Sequence, residues 1–419
     1  MSTAIPISKI TKENIERIEK CLLITKDKPS TKFKFTPPKT PFYHKHDKFL
    51  HLPFSWGVSY FGNKYIPICK EQEFSFIGNL REEQLKLHEE AMSHLSQHNT
   101  CLMAVYPGGG KTITALSLLA KLKRTTLIIV NKIVLVEQWR NSIRSFLGIE
   151  PFVITGKNCT IQPNSIYIIN AINIPKHDFS CMDIGNVIVD ECHLILTTVF
   201  SKGLFHLCPQ YLIGLSATPY RNDGYDALFD IYFGVHRIHR SLHREHEVFY
   251  VPSKIKIEHE NDKFGNINWN SVIDQQSKLK ERQYMIVNYC QEHKNRNILI
   301  LCKRIQQIMD IYKLLQDQKE NVAVFKENAT SFDTNCRILV SSYQKVGTGF
   351  SFDKLDMLIL GTDTEEYFLQ YLGRVFRRLD CTPVIVDIVD DHPVLHKHFR
   401  TRKKVYKECG GKIIKKSLK

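Results

Sequence analysis

Asp190 and Glu191 end an apolar run in NVIVDECH, residues 186–193, where two adjacent acids follow side chains that bury at low cost. Two carboxylates at a strand end suit a division of labour: one holds a divalent cation and the other takes a proton from an attacking water. The stretch YPGGGKT, Tyr106 to Thr112, supplies what that water would attack. Gly108, Gly109 and Gly110 permit a sharp turn that aims bare backbone N–H groups at phosphate oxygens. Lys111 stands where a lysine holds the β and γ phosphates, and Thr112 where a hydroxyl ligates magnesium. This is the second half of the GxxxxGK[ST] pattern, with Val105 in place of its first glycine. Alone, each stretch has a bland reading, a ligand-free glycine-rich turn and an acidic helix cap. Together they predict hydrolysis of a nucleoside triphosphate, with Thr112 and Asp190 on Mg2+ and Glu191 positioning the water.

Two further stretches fit that chemistry. LIGLSATPYRNDG, 212–224, puts Ser216 and Thr218 at a strand end, where small hydroxyls can relay between the nucleotide and a neighbouring domain or simply form a turn. QYLGRVFRR, 370–378, predicts a helix on which Arg374 and Arg377, three apart, share a face. They either reach the γ-phosphate across a cleft as arginine fingers or pair with surface acids.

The elements that must position these residues follow from short apolar runs alternating with amphipathic segments: CLMAV at 101, TLIIV at 126, PFVIT at 151, IYIIN at 166, NVIVD at 186 and LIGLS at 212. Such alternation means βα units and a helix-covered parallel sheet, an α/β fold. After a polar interval the pattern restarts with NILILC at 297, NVAVF at 321, RILVSS at 337, MLILG at 357 and PVIVDIV at 383. The expected organisation is an N-terminal arm over 1–75, a first domain over 76–250, a connection with an entry helix over 251–280, a second domain over 281–400 and a basic tail over 401–419. The arm interleaves lysine with aromatics, which suits stacking on bases, though a strap over a neighbouring domain is the favoured reading. The tail, with its glycines and lysines, reads as a flexible end that touches phosphates or merely aids solubility.

At 419 residues the chain exceeds one ordinary domain, and its net charge of +15 points to a polyanion, most plausibly nucleic acid. The 12 cysteines contain no CxxC pair and no zinc-ligand spacing, which fits reduced thiols in an intracellular protein. No run of apolar residues is long enough to span a membrane, so a soluble protein is expected.

With these four elements in this order, Leu80 to Val389 resembles the superfamily-two helicases. The likeness is to the DExH branch that includes XPB-type helicases, restriction-enzyme motor subunits and poxvirus-type transcript-release helicases. The resemblance implies two tandem RecA-like domains, ATP as the nucleotide with Mg2+, and stepping along one strand as domains close on ATP and reopen after hydrolysis. It implies that Gln84, in an LRxxQ-like element, reads adenine. Lys132 in NKIVLVEQW then falls in a backbone-touching region, whose Gln138 and Trp139 pack or cap the helix. Thr155 with Gly156, Asn170, and Lys303 beside Arg304 fall at further strand-contacting places. In LVSSYQKVGTGFSF, 339–352, Ser342, Gln344 and Gly349 resemble the segment that approaches both the phosphate backbone and the nucleotide, while Ser351 stands where many relatives have Asp and Asp353 lies nearby. Gln370 joins Ser216 and Thr218 as a coupling residue.

DNA is favoured over RNA on the resemblance alone, with transcription or replication machinery as possible associates. Translocation is favoured over strand separation, because no wedge element is evident. A nucleotide-gated clamp or remodelling factor is the rival, and a P-loop kinase is disfavoured by the second α/β repeat. Abundant Asn, Ile and Lys hint at an AT-rich genome, and the compact length suits a large DNA virus.

Overall fold

The computed structural model describes residues 1–25, 39–179, 182–197, 203–218, 220, 224–326, 329, 331–347, 350, 352–364, 368–378 and 380–416. They form two compact units, Met1–Arg240 and Ser241–Lys419.

The first unit is built on a parallel sheet of seven strands. From one edge to the other these are Arg237–Arg240, Thr100–Val105, Tyr211–Ser216, Asn186–Asp190, Thr126–Val130, Ile166–Asn170 and Phe152–Ile154. Runs such as TLIIV and NVIVD become its central strands because β-branched side chains pack on both faces of a covered parallel sheet. The two-residue period divides them: Leu127, Ile129, Val187 and Val189 enter one core cluster, Ile128, Val130 and Ile188 the other.

The first of these clusters also contains Met1, Ile5, Leu50, Leu52 and Phe54. The described part of the expected arm is therefore part of this unit's core. Ser2–Pro6, Phe49–Pro53 and His44–His46 make a small antiparallel sheet, accompanied by helices Lys12–Leu22 and Phe54–Phe61. Ser2 N–H donates to Leu207 O at 2.7 Å, anchoring the chain start.

The second unit holds another seven-stranded parallel sheet, in the order Val322–Phe325, Ile338–Ser342, Ile298–Cys302, Met357–Leu360, Val384–Asp391, His246–Lys256 and Gly411–Lys415. Two expectations change here. Residues 251–280 contain the expected entry helix, Trp269–Lys278, but begin inside a strand, since His246–Lys256 lies between two strands of this sheet. Pro252 and a register shift between Pro252 and Lys256 broke the strand pattern in the sequence. The tail is not a loose end, since Pro393–Glu408 is a helix and Gly411–Lys415 a strand.

A buried ionic network fixes that last helix. Arg402 donates through Nε and Nη2 to both oxygens of Asp387, at 2.8 and 2.9 Å, and through Nη1 to Asp363 Oδ1 at 2.6 Å. His398 Nδ1 lies 2.6 Å from the other Asp363 oxygen, and Arg282 pairs with Asp390 at 2.6 Å. Every described cysteine is free. No helix among the described residues is long and apolar enough to cross a membrane.

Candidate nucleotide site and arginine helix

Strand Thr100–Val105, buried throughout, delivers the chain to the turn at 106–110, and helix Lys111–Leu122 leaves it. Gly108 and Gly110 have φ of +87° and +86°, in the left-handed region that favours glycine. A Cβ on Gly109 would meet Val105 Cγ1 at 2.5 Å, and one on Gly110 would meet Gln84 Nε2 at 2.2 Å. The loop is thus bare because two neighbours lie against it. Lys111 Nζ folds back to donate to Val105 O at 2.7 Å.

Gln84, expected as the adenine reader, sits on helix Glu82–His98 against this turn and is 2% exposed. Its Oε1 accepts from Arg81 N at 2.9 Å, while its buried Nε2 has no hydrogen-bond partner. An orphaned amide beside a bare phosphate-type loop fits a ligand that carries an acceptor.

Asp190 ends its strand as a buried carboxylate. Its Oδ2 accepts from Trp139 Nε1 at 2.9 Å and its Oδ1 from Glu191 N at 3.0 Å. Burial, then the neighbouring Glu191 charge, push its pKa up; the Trp139 hydrogen bond and Lys111 oppose them. Glu191 takes φ +46°, rare for a residue with a side chain. Its Oε2 is buried without a hydrogen bond and lies 3.5 Å from His193 Nδ1. The same His193 nitrogen is 3.0 Å from Ser216 Oγ, which accepts from Thr218 N at 3.0 Å. Glu191 is thereby linked through His193 to the two residues expected to relay.

The donor set suits magnesium. One carboxylate and one hydroxyl, Asp190 and Thr112, are hard oxygen ligands of the kind that share this ion with substrate phosphates. No group of three or more His, Cys, Asp or Glu side chains that could hold a metal ion occurs among the described residues.

Lys132, Thr155, Gly156 and Asn170 follow the ends of three strands that are neighbours in the sheet, so they lie along one edge. Asn170 has local work, accepting from Ile172 N at 3.2 Å as a helix cap. Thr155 O accepts from the His177 ring at 2.9 Å. Gly156 faces open space. Lys132 is on Glu191's side: burial lowers its pKa, and the Glu191 charge opposes this.

In the second unit the helix carrying Gln370 and Arg374 is Phe368–Val375, so Arg377 lies past its end and does not share a helical face with Arg374. The two converge otherwise. Arg374 donates to Phe350 O at 2.6 Å and Gly347 O at 2.9 Å, and Arg377 to Phe350 O at 3.4 Å and Asp353 at 2.5 Å. Gln370 is buried beside Gly347. Ser342 Oγ accepts from Lys345 N at 3.2 Å, Gln344 is exposed, and Lys303 Nζ stands 5.5 Å from the Trp269 ring centroid. Gly349 and Ser351 lie outside the described residues.

Trp139 and His193 are the residues whose part the sequence did not give. Trp139 packs in the core as expected, and in addition its indole N–H holds the Asp190 carboxylate. Only its closeness in sequence to Lys132 could have drawn attention to it.

A family model described as "Type III restriction enzyme, res subunit" matches residues 77–221. The protein "Putative helicase 161L" of Invertebrate iridescent virus 6 is 36% identical over 397 residues, covering 87% of this chain and 89% of its own length. "DNA 3'-5' translocase XPB2" of Sulfurisphaera tokodaii is 24% identical over 398 residues, covering 79% and 87%. Among solved structures, S. cerevisiae Dbp5 bound to RNA and ADP BeF3 superposes with a TM-score of 0.55 at 13% identity, covering 81% of this chain and 94% of that one, which identifies the two sheets as tandem RecA-like domains. By its similarity to the iridescent virus protein along most of both chains, this chain belongs to the viral, XPB-like superfamily-two helicases, ATP-dependent motors on nucleic acid.

Proposed function

We propose that the chain is a DNA translocase that couples ATP hydrolysis to stepping along one strand. The observation that carries this reading is Glu191, held in a left-handed conformation with a buried carboxylate oxygen that has no hydrogen bond. A carboxylate so placed has room to accept the proton of an attacking water. In this reading Gly108 to Gly110 and Lys111 hold the phosphates, and Gln84 takes adenine through its free amide. Thr112 and Asp190 hold magnesium, which when bound supplies charge neutralisation at the phosphates. Arg374 and Arg377 supply transition-state charge once they leave their own loop, and Gly349 approaches the nucleotide. His193, Ser216, Thr218 and Gln370 pass the nucleotide state onward. Lys132, Thr155, Gly156, Asn170, Lys303, Ser342 and Gln344 touch the strand, mostly at phosphates, so binding is largely sequence-independent and weakens with salt.

DNA is preferred for the likeness to a DNA translocase. The test offers tailed DNA and RNA duplexes, and biotin-labelled strands carrying streptavidin, with ATP and without it. The expected outcome is streptavidin displaced from DNA only with ATP. Hydrolysis stimulated by RNA alone would overturn the choice of DNA, and stimulated hydrolysis with nothing displaced would favour the clamp.

A further inference from the structure

We propose that Trp139 is a positioning residue that ties the nucleic-acid edge of the first unit to the magnesium carboxylate. The inference rests on the reading of Asp190 as a magnesium ligand. Trp139 is 1% exposed on helix Ile133–Leu147, and its indole N–H is 2.9 Å from Asp190 Oδ2. An indole nitrogen donates only, so it fixes one Asp190 oxygen, while Glu191 N fixes the other. A carboxylate offers about four acceptor positions, so about two remain for the ion or its waters. Their direction is set by the two donors.

The far end of the same helix is exposed. Ile133 and Val134 are 78% and 43% exposed at its first turn, directly after Lys132, on the sheet edge that carries Thr155 and Asn170. Six residues of helix at 1.5 Å each put Trp139 about 9 Å along the axis from Ile133. A helix is stiff over two turns, and the neighbouring side chains Leu135, Val136 and Ile143 are buried in the core. A polynucleotide pressing on the first turn moves the indole with it, and Asp190 follows. The device makes hydrolysis sensitive to strand occupancy without any contact between strand and nucleotide.

The test uses the full chain. Trp139→Phe keeps a ring and removes the donor. Half-saturating Mg2+ for ATP hydrolysis should rise about tenfold, the range for removing a partner of a metal ligand, and stimulation by an oligonucleotide should fall, while oligonucleotide affinity stays unchanged. A wild-type Mg2+ requirement with undiminished stimulation would overturn the proposal. Because the variant could misfold, the wild-type protein supplies a second measurement. Its 3 tryptophans carry one indole N–H each, so the spectrum holds 3 such resonances to assign. The Trp139 resonance should shift on adding MgADP and shift again on adding a single-stranded oligonucleotide. A resonance indifferent to the oligonucleotide would also overturn it. Lys111→Ala separates the two ideas: hydrolysis surviving in Lys111→Ala removes the nucleotide-site reading, whereas a dead Lys111→Ala beside a normal Trp139→Phe removes only the role of Trp139.

Discussion

The two units carry their chemistry in opposite conditions. In the first, groups are left open: Gln84 Nε2 and Glu191 Oε2 are buried without hydrogen bonds, and Glu191 is held at φ +46°. In the second, the arginines proposed to act are engaged on their own unit, Arg374 on Phe350 O and Gly347 O, Arg377 on Phe350 O and Asp353. Unpaired polar atoms and a left-handed glutamate each cost on the order of 1–3 kcal/mol. The first unit therefore stores part of that cost beside Gln84 and Glu191, while in the second Arg374 and Arg377 hold backbone carbonyls and Asp353 through their outer nitrogens.

The sharpest way to break this comparison is in the first unit. Glu191→Gln should lower stimulated ATP hydrolysis by roughly 10²–10⁴-fold, the worth of a positioned general base, yet leave ATP affinity nearly intact. Lys111→Ala should lose affinity as well as turnover. Steady-state hydrolysis and a fluorescent-nucleotide titration check both; turnover preserved in Glu191→Gln would mean that the open carboxylate is not the base.

Next comes Arg374. Arg374→Ala should cost about 10³-fold in hydrolysis, the low end of arginine-finger effects, and Arg374→Lys should rescue little, because an ammonium cannot span two carbonyls as the guanidinium fork does. Nucleotide affinity should hardly change in either variant. If affinity falls with rate, Arg374 acts before hydrolysis and is not held in reserve.

The third concerns the buried network that fixes the last helix of the second unit. Asp387→Asn breaks a fully buried pair with Arg402, a loss of about 3–5 kcal/mol. Chemical denaturation should show the second unit unfolding earlier, with nucleotide binding by the first unit retained. A single unchanged transition would show that the network contributes little.

The same contrast explains what was legible in the sequence. Both sheets were readable, since runs such as NVIVD and ILILC are apolar, β-branched and bounded by turn residues. The glycine turn between strand and helix and the acids at a strand end were readable as local structure because they depend on residues adjacent in the chain. What escaped was tertiary: the Trp139–Asp190 bond spans 51 residues, and the left-handed Glu191 has no signature in composition. The N-terminal module escaped because Met1, Ile5 and Leu52 contribute to a core whose other members lie far along the chain. Arg377 was placed on a helix by spacing alone, which cannot tell that the helix ends at Val375.

The smallest effect discriminates most finely. Asp353 holds Arg377 at 2.5 Å, but its side chain is 76% exposed, and an exposed pair of this kind contributes about 0–1 kcal/mol. Asp353→Asn should therefore leave thermal stability almost unchanged. If Arg377 must leave Asp353 to reach a phosphate, removing that competitor lowers the barrier by up to the same amount, and hydrolysis should rise by at most about fivefold. The gain should shrink with added salt, which already screens the pair in the wild type. A fall in rate would carry the opposite meaning: Asp353 would be aiming Arg377, and the second unit would then be as prearranged as the first.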